Sequence, residues 1–134
     1  MKIEINNRTK LKIDLGLVKK IASAFGKAHK VGDKEVSLAI VGDAEMKQLN
    51  RRYRGQNRPT DVLSFAGDDD FLGELVIDYA QVKRQAGRFG QTAREELVFI
   101  LTHGLLHLIG YDDKTGKQRQ KMVKLAEEFI KKNF

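Results

Sequence analysis

The 134-residue chain contains no cysteine. Disulfides, thiolate metal centres and cysteine nucleophiles are thereby excluded, and a reducing, cytoplasmic setting is the expectation. Proline occurs once, at Pro59, so it punctuates the chain at a single loop. No apolar run approaches the roughly 20 residues of a membrane span, because Thr102, His103 and His107 interrupt the most apolar stretch. The opening Met1-Lys2-Ile3-Glu4-Ile5 alternates polar and apolar residues instead of forming the apolar block of a secretory leader, so none is expected. Histidine is scarce too, with three in the chain.

What is present is mostly charge and periodic apolar residues. Twenty-five Lys and Arg against eighteen Asp and Glu give a formal net charge of +7. A positive field favours the approach of a polyanion, although a lysine-rich solvated surface gives the same composition. The length suits one domain over residues 1–134 with its own core, and no repeat, linker or low-complexity segment divides it.

Alternation predicts strands at 1–6, 36–41, 62–65 and 72–77, the last two pairing as a hairpin across Asp68-Asp69-Asp70. Helical spacing of Leu17, Val18, Ile21, Ala22 and Phe25 predicts a helix over 15–29. Asp43 is expected to cap a second helix that Gly55 stops, followed by a loop over 56–60. A short helix over 79–86 is expected to break at 87–90. Thr92 and Glu95 form a capping-box signature ahead of the longest apolar helix, which ends at Gly110. A final amphipathic helix starts near Lys117. Strands and helices interleave over one core, an α/β or α+β domain.

Two of the three histidines lie in that apolar helix, in His103-Gly104-Leu105-Leu106-His107-Leu108-Ile109-Gly110-Tyr111-Asp112-Asp113. Residues four apart share a helix face, with about 6 Å between Cβ atoms, so both imidazoles can grip one divalent ion. Gly110 permits a sharp reversal that returns a carboxylate to the rings. Two nitrogens and one carboxylate oxygen, with a position open for water, suit catalytic zinc. Asp113 has the better register for the third ligand; Asp112 is the alternative, or caps the reversal. A lone pair of histidines at this spacing is equally often just polar surface, and His29 is read as a surface residue.

A further absence narrows the chemistry. Zinc peptidases place a glutamate after the first histidine as general base, and Gly104 stands there. The centre still permits a metal-bound hydroxide, for which a phosphodiester is a candidate substrate provided a cation clamps the developing charge. Arg51, Arg52, Arg54 and Arg58 cluster ahead of Pro59-Thr60-Asp61. Arg54, beside Gly55, is the preferred clamp; the bland reading of the cluster is a solvated helix terminus. Asp61 is read as a loop brace or turn acid, and Ser64 lacks a triad pattern.

The blocks Leu49-Asn50-Arg51-Arg52-Tyr53-Arg54-Gly55, Pro59-Thr60-Asp61-Val62-Leu63-Ser64-Phe65, Gly73-Glu74-Leu75-Val76-Ile77 and His103 through Asp112, in that order, resemble the YbeY family of bacterial rRNA maturation factors across nearly the whole chain. The resemblance implies a mostly parallel four-stranded sheet with one antiparallel strand, surrounded by helices, with the metal helix bordering a cleft. It implies a zinc-dependent, single-strand-specific endoribonuclease that matures the 16S rRNA 3′ end and takes part in ribosome quality control. Catalysis would fall to Arg54, His103 and His107, and metal binding to His103, His107 and Asp113. Expected partners are rRNA, the small ribosomal subunit and a ribosomal protein or ribosome-associated GTPase, with neither membrane nor DNA. The family usually has a third histidine where Asp113 stands, which admits other divalent ions than zinc. Two other functions compete: a metal-stabilised assembly factor that only binds, and a metallohydrolase acting on peptides.

Overall fold

The computed structural model describes residues 1–134. Four strands form one sheet: β1 (Lys2–Asn7), β2 (Glu35–Val41), β3 (Val62–Asp68) and β4 (Phe71–Asp78), in the order β1-β2-β4-β3. β1 runs parallel to β2 and β2 to β4, while β3 pairs antiparallel with β4 as the far edge. The mixed sheet expected from the resemblance is therefore the one observed. Five helices complete the chain: α1 (Leu15–Ala28), α2 (Asp43–Arg54), α3 (Tyr79–Arg88), α4 (Ala93–Leu108) and α5 (Gly116–Asn133).

The pleat divides the core in two. Val36, Leu38 and Ile40 of β2, with Leu75 and Ile77 of β4, face α1, α4 and α5. Their neighbours Ala39, Val41 and Val76 point the other way and close with Leu63 over Met46 of α2. This is the period-two alternation of a sheet covered on both faces. Helix α4 buries residues around most of its circumference, including Leu97, Leu101, Leu105 and Leu106, because it lies between the sheet and α5. A helix so placed reads as apolar all round.

Several boundaries differ from the sequence expectation, each for a local reason. Gly42, not Asp43, is the N-cap of α2, and no side chain caps it. Asp43 instead makes a two-pronged pair with Arg84 of α3, at 2.7 and 3.0 Å. Helix α3 continues through Gly87 to Arg88, so the break falls at 89–92. β3 runs on to Asp68 because its pairing with β4 continues to Phe71. Helix α5 begins one residue before Lys117, set by a second capping box between Thr115 and Gln118. The box at Thr92 and Glu95 is present as expected, with hydrogen bonds of 3.0 and 3.1 Å.

Candidate metal centre and its cleft

Helix α4 brings His103 and His107 onto one face, their Nε2 atoms 3.2 Å apart. The helix ends at Leu108, and Gly110 adopts φ +109°, a conformation that favours glycine. The chain turns, and Asp113 comes back with its Oδ2 3.6 Å from His103 Nε2 and 3.4 Å from His107 Nε2. For ligand bonds of roughly 2.0–2.1 Å, the edge of a tetrahedral face is about 3.3 Å. The observed edges lie within a few tenths of an ångström of that length. The donor set of two nitrogens and one carboxylate oxygen fits a divalent ion without rearrangement.

The imidazoles are prepared for such a role. His107 Nδ1 lies 3.1 Å from the Tyr111 carbonyl. Donation there places the proton on Nδ1 and leaves the Nε2 lone pair facing His103 and Asp113. Burial lowers the pKa of His103, and the neighbouring His107 acts in the same direction, against the opposing pull of Asp113 and Asp61. The net shift favours the neutral ring, the form that ligates metal. Its Nδ1 is buried without a protein partner, and its ring stacks on Phe99 at 6.1 Å and 23°.

The two turn acids face different ways. Asp112 turns its Oδ1 to the Asp113 backbone N–H at 2.7 Å and its Oδ2 towards Lys114 at 3.6 Å. It secures the reversal while Asp113 faces the rings. His29 takes no part: it stacks on Phe25 at 4.3 Å beside Phe129.

These groups open into a cleft of about 1060 Å³ between α4, β3 and the end of α2. Of the four clustered arginines only Arg54 lines it. Its side chain is exposed, at the last position of α2. Arg58 is engaged with Gln56 Oε1, and Arg52 lies over Tyr53. Lys114 supplies a second cation, and Tyr53, Phe65, Phe99 and Tyr111 supply aromatic wall.

Three contributors escaped sequence reasoning. Fully buried Asn50 donates to the Arg58 carbonyl at 2.8 Å, tying the loop after Arg54 to α2. A polar residue on the inner face of a helix was the available signal. Asp61 does more than brace its loop: it lines the cleft, and its charge is felt at His103 and at buried Glu96. Lys114 follows the acidic pair directly and carries no motif of its own. Ser64 lines the cleft without the partners of a nucleophile.

Comparison with known proteins agrees with the blocks noted in the sequence. A family model described as Endoribonuclease YbeY matches residues 3–133. A protein of Sulfurovum sp. (strain NBC37-1) named Endoribonuclease YbeY is 38% identical over 138 residues, covering 95% of this chain and 90% of its own. One of the same name from Moorella thermoacetica is 42% identical over 117 residues, covering 76% and 75%. The solution structure of TM1509 from Thermotoga maritima superposes with a TM-score of 0.66 at 31% identity, covering 97% of this chain and 90% of that one.

Proposed function

The chain belongs to the Endoribonuclease YbeY family, and from that premise we propose that it is a zinc-dependent, single-strand-specific endoribonuclease of rRNA. The observation that carries the reading is the His103–His107–Asp113 triangle opening into the same cleft as Arg54. A bound zinc ion would polarise the scissile phosphate and make water a nucleophile near neutral pH.

The chain's own residues supply the rest. His103, His107 and Asp113 hold the ion and fix where the reacting phosphate must sit. Arg54 presents a planar guanidinium, whose forked donors suit two non-bridging phosphate oxygens and the charge that grows on them. Tyr53 and Phe99 give flanking bases a surface for stacking, which an unpaired strand can use and a duplex cannot. The formal charge of +7 assists the encounter. The 16S rRNA 3′ end within the small ribosomal subunit is the substrate that the family assignment favours, in the cytoplasm and in the company of a ribosomal protein or ribosome-associated GTPase.

The test is cleavage of a 16S 3′-end precursor by zinc-loaded protein beside Arg54→Ala and His107→Ala. Loss of cleavage in both variants, with RNA binding retained by His107→Ala, supports the reading. Equal cleavage by all three removes both residues from catalysis. Binding without cleavage by the wild type under zinc or manganese would leave an assembly factor in place of a nuclease.

A further inference from the structure

The cleft needs a group to take the proton of the attacking water, and the glutamate that does so in zinc peptidases has Gly104 in its place. Three carboxylates line the cleft: Asp61, Asp112 and Asp113. Asp113 faces the imidazoles and Asp112 is committed to the turn and Lys114. Asp61 is left.

Its side chain is held from both ends. Oδ1 accepts from the Val62 N–H at 2.7 Å and the Thr60 hydroxyl at 3.4 Å. Oδ2 accepts from Gln85 Nε2 at 3.1 Å. Gln85 is itself oriented, since its Oε1 accepts from Gln81 Nε2 at 3.1 Å, and Gln81 Oε1 accepts from Arg84, which is clamped to Asp43. The direction of each amide is set by its neighbours, so Oδ2 is presented in one orientation. A carboxylate oxygen accepts two hydrogen bonds, and Oδ2 has one such position free. Asp61 lines the same cleft as His103 and His107, across from α4.

We infer that Asp61 is the catalytic proton acceptor of this cleft, held in place by Gln85. The inference rests on the endoribonuclease reading and adds a residue to it. In the step, the water oxygen forms a bond to phosphorus and gives one proton to Asp61 Oδ2. The bond from phosphorus to the leaving ribose oxygen breaks with its electron pair on that oxygen. Asp61 then returns the proton to it, leaving a free hydroxyl, a phosphate monoester and an unchanged carboxylate.

The experiment compares zinc-loaded wild type with Asp61→Asn, Asp61→Glu and the pair Asp61→Asn with Gln85→Glu, on a short fluorescent single-stranded RNA, with zinc affinity measured separately by chelator competition. The pair restores a hydrogen bond between positions 61 and 85 without restoring an acceptor at 61. The expected result is a kcat lower by about 100-fold or more in Asp61→Asn and in the pair, with partial recovery in Asp61→Glu and KM nearly unchanged. Zinc affinity should stay within about threefold of wild type, because the three ligands are untouched. An unchanged kcat in Asp61→Asn overturns the inference. So does recovery of kcat in the pair, or a zinc affinity that falls by the 10–100-fold typical of lost ligand support, since either assigns Asp61 a positioning role. A wild type that leaves the RNA intact overturns the endoribonuclease reading itself, and this inference with it; cleavage by the wild type and Asp61→Asn alike removes the inference alone.

Discussion

A Cβ placed on Gly104 would stand 2.9 Å from Leu75 Cδ2 and 3.3 Å from Cδ1, with Val62 Cγ2 at 3.5 Å. Leu75 is fully buried in the larger core cluster, so α4 and β4 touch where a zinc peptidase carries its base. The missing glutamate follows from packing as well as from chemistry. Gly104→Glu is expected to destabilise the fold by on the order of 3 kcal/mol, through overpacking and a buried charge. Gly104→Ala, which gains about 1 kcal/mol of helix propensity against its steric cost, should stay near wild type. Urea unfolding of both variants checks the pair of outcomes.

Zinc should stabilise the folded chain by mass action. At a free concentration of 100 times Kd, the gain is about 2.7 kcal/mol. His103→Ala or His107→Ala should abolish the gain, and Asp112→Asn should keep it. Melting curves with and without zinc give the comparison; equal stabilisation of the histidine variants would move the ion elsewhere.

Exchanging the proposed third ligand should alter reactivity without altering the fold. Asp113→His replaces a carboxylate with a neutral imidazole and leaves the site more positive. The acid limb of the pH–rate profile should move to lower pH, and the preference between manganese and zinc should swing to zinc. Profiles recorded with each metal measure both.

Asp78 makes stability depend on pH at the opposite end of α3. The residue is fully buried, caps α3 by accepting from the Gln81 N–H at 3.2 Å, and neighbours Asp43, with its Oδ2 left without a hydrogen-bond partner. Burial, then the neighbouring Asp43 carboxyl, push its own carboxyl up to about 7. Arg84 holds Asp43 down at about 2. A raised folded-state pKa gives stability that is complete below the unfolded value and is lost as pH rises through the folded one. The Asp78 contribution should therefore fall between about pH 4 and 7, by at most about 1.4 kcal/mol per pH unit, and level off above. Asp78→Asn, which still caps a helix, should remove that slope; unfolding free energies of both proteins at about pH 5 and pH 8 provide the measurement.

Phosphate contacts should appear in salt dependence. Removing one contact to a single strand lowers the slope of log K against log salt by about 0.7. Arg54→Ala and Lys114→Ala should each do so, and Arg58→Ala should not, because Arg58 is bound to Gln56 away from the cleft. Titrations at several salt concentrations separate the three.

Much of this was legible in the chain because local signals and tertiary demands agree. The Thr92–Glu95 box, Gly55 and Gly110 are local devices, and they start or end helices where the sequence says. The His103–His107 spacing is likewise local, and Asp113 needed only the reversal at Gly110. Asp43 misled because a favourable cap residue found a better partner in Arg84, forty-one positions away. Asp61, Gln85 and Gln81 were opaque for the same reason: their roles come from side-chain hydrogen bonds along α3 and from α3 to the residue ahead of β3, which no periodicity encodes. Asp78 carried no outward sign of burial beyond standing next to apolar neighbours, whereas Asn50 shares the inner face of α2 with Met46.

X-ray absorption at the zinc edge, on protein purified and loaded with one equivalent, tests the central claim most directly. The account predicts one tightly held ion with two imidazole nitrogens and one carboxylate oxygen at about 2.0–2.1 Å, and loss of imidazole scattering in His103→Ala and His107→Ala. An ion surrounded by oxygen alone, or a spectrum unchanged by those two substitutions, would contradict it.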